Sequence, residues 1–219
     1  MTGAEVTPLD VVLFGATGSI GGTIAAELVA RGHHVVGITR RAAGVPSPGI
    51  DVHTGDVTDP RSVADAVRGR DAVVSAVGPR RGSGEPQPFV AAAHGLIGGL
   101  RLAGVRRLVV VGGAGSLELA PGVQALDAPD FPEAHRANAL AQREALEVYR
   151  TAEDLDWTYV APAAEIGPGE HVGDYQLGHD RMLFDEHGVS RIGYADYADG
   201  VVDCLEQGTH LRERITLAD

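Results

Sequence analysis

The chain has 219 residues, 44% hydrophobic and 22% charged, enough for one packed domain that needs no disulfide or metal to hold it together. No apolar run reaches the roughly 18 residues of a membrane span, and a formal charge of -12 disfavours a phosphate-rich partner, so neither membrane nor nucleic acid is expected as a partner. All 18 basic residues are arginine, and the lone Cys204 sits in an apolar helical pattern that marks it as core filler.

The opening residues MTGAEVTPLD carry neither a basic stretch nor an apolar core, so a cytoplasmic setting is expected. Residues 11–14 (VVLF) read as a short buried strand, and 19–31 as a helix through Ile20, Ile24 and Leu28. Residues 34–39 give a second strand, IDVHTGD a third, and PRSVADAVRG a helix that stops at Gly69. Residues 71–77 (DAVVSAV) give strand four, 89–103 a helix, and 107–111 (RLVVV) strand five. A long helix over about 132–152 keeps Ala137, Ala141, Ala145, Val148 and Ala152 on one face. Residues 157–160 read as strand six, the spacing from Ile192 through Ala198 to Leu205 as the last helix, and RITLA as the last strand.

Strands separated by helices of this length pair in parallel through right-handed crossovers. The expected fold is therefore α/β, a doubly wound, Rossmann-type parallel sheet in a single domain over residues 1–219. The alternation stops at residues 161–193, a glycine- and histidine-containing stretch that reads as a small C-terminal insertion covering the substrate.

VVLFGATGSIGG places Gly15, Gly18 and Gly21 after the first strand and at the start of the first helix. In that position a dinucleotide's diphosphate meets the free N–H groups and positive end of the helix dipole. Gly15 would supply the turn, Gly18 the close backbone approach and Gly21 the close helix–strand packing, with Thr17, Ser19 and Ile20 flanking the phosphates. A purely structural turn is the alternative.

The end of strand two selects the dinucleotide, because a carboxylate there binds the ribose of NAD and repels the extra phosphate of NADP. This chain has ITRR instead. Arg40 and Arg41 offer guanidinium forks suited to phosphate and to stacking on adenine, so NADPH is expected over NADH; solvated surface arginines are the alternative. Asp56 and Val57, after strand three, are placed to meet the adenine edge. Ser75, Ala76, Val77 and Gly78, after strand four, would run beside the adenosine and ribose.

These motifs, with VVVGGAGSL, LDWTYVAPAAEIGPGEHVGDYQLG and SRIGYADYADGVVDCLE, resemble the atypical short-chain dehydrogenase/reductase proteins of the NAD(P)-binding NmrA-like, NADH-flavin-reductase-like kind, with biliverdin reductase B a more distant relative. The likeness covers nearly the whole chain. It implies an NAD(P)-binding Rossmann-type domain with a flavin or other flat conjugated acceptor over the nicotinamide, and Pro162 is counted with the cofactor contacts. The larger superfamily reduces carbonyls with Tyr and Lys four residues apart; here Tyr149 is followed by Glu153 and Tyr194 by Ala198, and no lysine exists. Carbonyl reduction needs a strong proton donor, whereas transfer to a flavin spreads the charge over a ring system and depends mainly on positioning.

Three residues are candidates for proton handling in the reductase, with Glu165 a further base for the alternatives that consume no cofactor. His135 falls with Asn138 and Gln142 on one polar face of the long helix, whose alternative reading is a solvated face. Ser116, in GGAGSL, lies about where the superfamily keeps an active-site hydroxyl, with turn or capping duty as the alternative. His171 titrates near neutrality and would serve if it faced the nicotinamide. The histidines lack i, i+4 spacing or a cysteine partner, so no structural metal is expected. The reading is an NADPH-dependent oxidoreductase of the flavin-reductase-like type acting on a small molecule; an isomerase, epimerase or dehydratase on the same fold, or a non-catalytic NADP redox sensor, are the other possibilities. Oligomeric state is left open.

Overall fold

Alternate residues of the first strand, β1 (Asp10–Phe14), leave the sheet on opposite sides, and each set builds its own core. Val11 and Leu13 pack with Ile24, Leu28, Val201 and Leu205 on one side. Val12 and Phe14 pack with Leu96, Leu100, Leu108 and Leu146 on the other. A side chain of this size contributes about 1.5–3 kcal/mol when fully buried, so burial on both faces is what fixes the central strands. The computed structural model describes residues 7–40, 49–78 and 88–219.

The elements follow in the order α1 (Ser19–Ala30), β2 (His34–Thr39), β3 (Asp51–Thr54), α2 (Pro60–Val67), β4 (Ala72–Ser75), α3 (Phe89–Ala103) and β5 (Arg107–Val111). Then come a short hairpin of β6 (Glu118–Ala120) and β7 (Val123–Gln124), α4 (Glu133–Arg150), β8 (Asp156–Pro162), β9 (Glu165–Gly167), β10 (Gln176–Gly178), β11 (Arg191–Gly193), α5 (Tyr194–Gln207) and β12 (Glu213–Ala218). Eight strands form one sheet in the order β10-β12-β8-β5-β4-β1-β2-β3, parallel throughout except for β10, which runs antiparallel to β12 at the edge. Helices α1 and α5 cover one face, while α2, α3 and α4 cover the other. This is the doubly wound, Rossmann-type sheet, and among the described residues no helix is long and apolar enough to cross a membrane.

Residues 161–193 differ from the expected irregular insertion. They hold the end of β8 and three strands of three residues each, with β9 parallel to β11 and β10 extending the main sheet through Gln176↔Ala218 and Gly178↔Thr216. Strands this short carry no period for a sequence pattern to show. The β6–β7 hairpin is hidden for the same reason.

Candidate functional site

Strands β1, β2 and β4 end side by side, and the turns that leave them are tied together. Gly15 N–H donates to Ile38 O at 3.1 Å, Gly55 N–H to Thr39 O at 2.9 Å, and Ala76 N–H to Phe14 O at 2.8 Å. Gly15 turns with φ +85°, and a Cβ there would lie 2.5 Å from Ala76 O. A Cβ on Gly21 would lie 2.2 Å from Gly15 O, so only glycine lets the first turn of α1 rest on the end of β1.

Gly18 is the N-cap of α1, and no side chain caps that helix. Its first N–H groups and the positive end of its dipole are therefore offered to a ligand. Directly there opens a cleft of about 800 Å³. Thr17, Gly18, Ser19, Ile20 and Gly21 line it from the glycine turn, Arg40 from the end of β2, Asp56, Val57 and Thr58 from the turn after β3, and Ala76, Val77 and Gly78 from the turn after β4. The volume falls in the range of small-molecule and cofactor sites. An uncapped helix start, glycines where any side chain would collide, and a cation at one rim together fit a nicotinamide dinucleotide.

Charge in the cleft is set at its β2–β3 rim. Thr58 donates to Asp56 Oδ1 from its backbone N at 2.9 Å and from its hydroxyl at 2.7 Å, and these bonds hold the Asp56 carboxyl below the usual carboxylate range. The neighbouring Arg40 guanidinium lowers it further. Asp56 is thus an anion beside a cation at this rim of the cleft.

The structure gathers the expected cofactor-side residues Gly15, Thr17, Gly18, Ser19, Ile20, Gly21, Arg40, Asp56, Val57, Ala76, Val77 and Gly78 around this one cleft, whereas Ser75 is buried at the end of β4 and does not line it. Arg41 lies outside the described residues. Pro162, the buried last residue of β8, does not line the cleft, and neither does any other residue of 161–193. Tyr194, the first residue of α5, lines it together with Phe14, Ile38, Thr39, Gly55 and Pro88. Spacing treated Tyr194 only as half of a missing tyrosine–lysine pair; its placement comes from the β11–α5 junction, which no periodicity marks.

The candidate proton-handling residues are not brought together. Ser116 is buried; its hydroxyl is held by Arg214 Nη1 at 3.0 Å and its carbonyl by the same nitrogen at 2.8 Å. Arg214 in turn is paired with Asp180 at 2.5 Å, so the serine belongs to a clamp between the last strand and the loop after β5 rather than to the cleft. His171 does not line the cleft either. Its Nε2 lies 2.6 Å from Asp199 on α5, and that partner raises the imidazole above its ordinary value.

His135 is exposed at the start of α4 and parts company with Asn138 and Gln142, which turn inward. The Gln142 amide rests on Gly113, with Oε1 only 1.8 Å from where a Cβ would stand, and Tyr159 donates to the Gln142 carbonyl at 3.3 Å. Asn138 Oδ1 is buried without a partner among the described residues. Tyr149 is in the core, its hydroxyl pushed well up by burial, so it offers no proton donor.

Comparison with known proteins agrees with this cleft. Residues 15–208 match the NAD(P)H-binding family. A solved structure of a candidate exported protein from Burkholderia pseudomallei is 46% identical, with a TM-score of 0.87 over 96% of this chain and 100% of that one. A candidate epimerase from Bacteroides thetaiotaomicron is 33% identical, with a TM-score of 0.87 over 97% of both chains. A candidate NADH-flavin reductase from Streptococcus pneumoniae is 35% identical, with a TM-score of 0.85 over 96% of this chain and 99% of that one. With its glycine turn, uncapped first helix and doubly wound sheet, the chain belongs to the NAD(P)H-binding family.

Proposed function

We propose that this protein is an NADPH-dependent oxidoreductase of the flavin-reductase-like type, passing a hydride to a flavin or another flat conjugated acceptor. The observation that carries the reading is Arg40 at the rim of a cleft whose floor is the glycine turn and the uncapped start of α1. The nicotinamide supplies the hydride. The protein's share is to hold the cofactor: the α1 amides on the diphosphate, the Arg40 guanidinium on the ribose phosphate, and Asp56 with Val57 at the adenine edge.

The acceptor class follows from what the chain does not have. There is no lysine in the sequence, and Tyr149, on the helix that carries the tyrosine–lysine pair in the superfamily, is buried in the core. Tyr194 lines the cleft but has Ala198 where the pair has its lysine, so charge developing on an isolated alkoxide would find no matched donor, whereas a flavin delocalises it and takes its proton from water, and positioning carries the reaction. The likeness to the Streptococcus candidate NADH-flavin reductase supports this reading. A cytoplasmic setting goes with the use of NADPH; fractionation of expressing cells tests it, since the Burkholderia relative is described as exported.

A second reading, epimerisation with retained cofactor, draws on the likeness to the Bacteroides candidate epimerase. One experiment separates the two: NADPH consumption against FMN, riboflavin, quinones and conjugated ketones. The reductase gives acceptor-dependent oxidation that is faster with NADPH than with NADH. A flat trace across the panel, with cofactor demonstrably bound, overturns it.

A further inference from the structure

We propose that His179, His210 and Glu213 form a binding site for a late first-row divalent cation, Zn2+ foremost, at the edge of the sheet opposite the cofactor cleft. The strand directions bring these residues together. Strand β12 begins at Glu213 and runs parallel to β8, so its start lies at the edge where the parallel strands begin, while the cleft lies where they end. Strand β10 runs the other way and finishes at Gly178 opposite Thr216, which delivers His179 to the same edge. His210 sits in the turn between α5 and β12.

The three side chains have the spacing of a ligand set. His210 Nδ1 is hydrogen-bonded to Glu213 Oε2 at 3.4 Å, a single exposed contact whose proton an ion would displace, His179 Nδ1 lies 4.0 Å from the same oxygen, and one ligand atom from each residue falls within 4.8 Å of the others. Ligands on a tetrahedral zinc stand roughly 3.3–3.5 Å apart, given bonds of about 2.0–2.1 Å. The His210–Glu213 pair already has that separation. His179, with a side chain 63% exposed, closes the remainder by rotation. Two imidazoles and one carboxylate prefer zinc and its late first-row neighbours to magnesium or calcium, and they leave a position for water.

The turn that carries His210 is held before any ion arrives. His210 and Arg212 both have left-handed backbones, with φ +54° and +61°. The fully buried Thr158 donates its hydroxyl to the His210 carbonyl at 3.0 Å, and Arg107 in turn donates to that hydroxyl at 2.8 Å. Neighbouring cations are directed elsewhere: Arg212 bonds the Glu153 carbonyl, and Arg214 bonds Ser116 and Asp180. A net charge of -12 favours cation capture as well.

The other group of similar composition, His171 with Asp196 and Asp199, is already satisfied from within. Asp196 accepts from the backbone N–H groups of Val172 and Gly173, His171 is bonded to Asp199, and the Arg31 guanidinium stands 3.8 Å from Asp199. The expectation of no metal from sequence spacing looked for ligands on one helix. The ligands here come from two turns and a strand start, with His179 31 residues from His210 and 34 from Glu213.

The test is a Co2+ titration of the tag-free protein, followed by its visible ligand-field absorption, and a matching Zn2+ titration by calorimetry. The expected result is saturation near one equivalent, with affinity reduced at least thirtyfold in His179→Ala and in His210→Gly, and unchanged in His171→Ala. Glycine at 210 removes the imidazole while accepting the left-handed backbone, so lost binding there is not lost folding; metal-free thermal melts of each variant check this. NADPH affinity is expected to be the same with and without the ion. Absence of a saturating signal, or one that survives both His179→Ala and His210→Gly, overturns the site.

Discussion

The two halves of this molecule use their polar groups in opposite ways. From β1 through α3, the ends of the strands are built of glycine and small residues, no side chain caps α1, and backbone N–H groups are left for a ligand. From β5 onward, the polar side chains mostly satisfy one another: Ser116 with Arg214 and Asp180, Tyr175 with Asp203, Tyr197 with the Val160 carbonyl, and His171 with Asp199. A cofactor common to a whole family is met by backbone geometry. The second half is shaped by internal hydrogen bonds, and an available-looking hydroxyl or imidazole in the sequence is there more often a strut than an open donor.

The contrast is most easily broken at the glycine turn. Gly21→Val forces a branched side chain into the Gly15 carbonyl and is expected to cost about 3 kcal/mol or more, with cofactor affinity falling over about 100-fold. Calorimetric titration with NADPH, alongside a thermal melt, measures both. Next is the Arg214 clamp. Arg214→Met leaves the Ser116 carbonyl without its donor and should destabilise the fold by about 2–3 kcal/mol. Ser116→Ala loses about 1 kcal/mol and should keep the single-turnover hydride-transfer rate within about threefold. A collapse of that rate in Ser116→Ala would return the serine to the chemistry.

Arg40→Ala sharpens the comparison on the cofactor side. Loss of a charge-assisted contact to phosphate, worth about 1.5–3 kcal/mol, should weaken NADPH about tenfold or more and leave NADH within about twofold. Equal effects on the two cofactors would end the assignment of NADPH preference. The smallest effect belongs to His171. Asp199 raises its folded pKa above the ordinary 6.5, so its contribution is complete below the unfolded value and lost as pH climbs through the folded one. Thermal melts of the wild type should therefore decline slightly from about pH 6.5 upward, and His171→Ala should lack that decline.

What could be read from the sequence divides along the same line. Strands β2 and β5 and helix α3 stand where their patterns put them, because a strand buried on both faces or a helix of 15 residues repeats its signal several times. The glycine turn was legible because a positive φ and a forbidden Cβ are properties of one residue type. Tyr194 was not, since its place depends on how β11 hands the chain to α5. Nor were the partners of Ser116 and His171: Arg214 is 98 residues from the serine and Asp199 is 28 from the histidine, and no local pattern joins them.

Both margins of the eight-stranded sheet are short and polar-flanked: β3 has four residues, with Asp51, His53 and Thr54 exposed, and β10 has three. Neither offers a long, flat, apolar ladder for another chain to extend, which protects a concentrated solution of this protein from strand-by-strand aggregation.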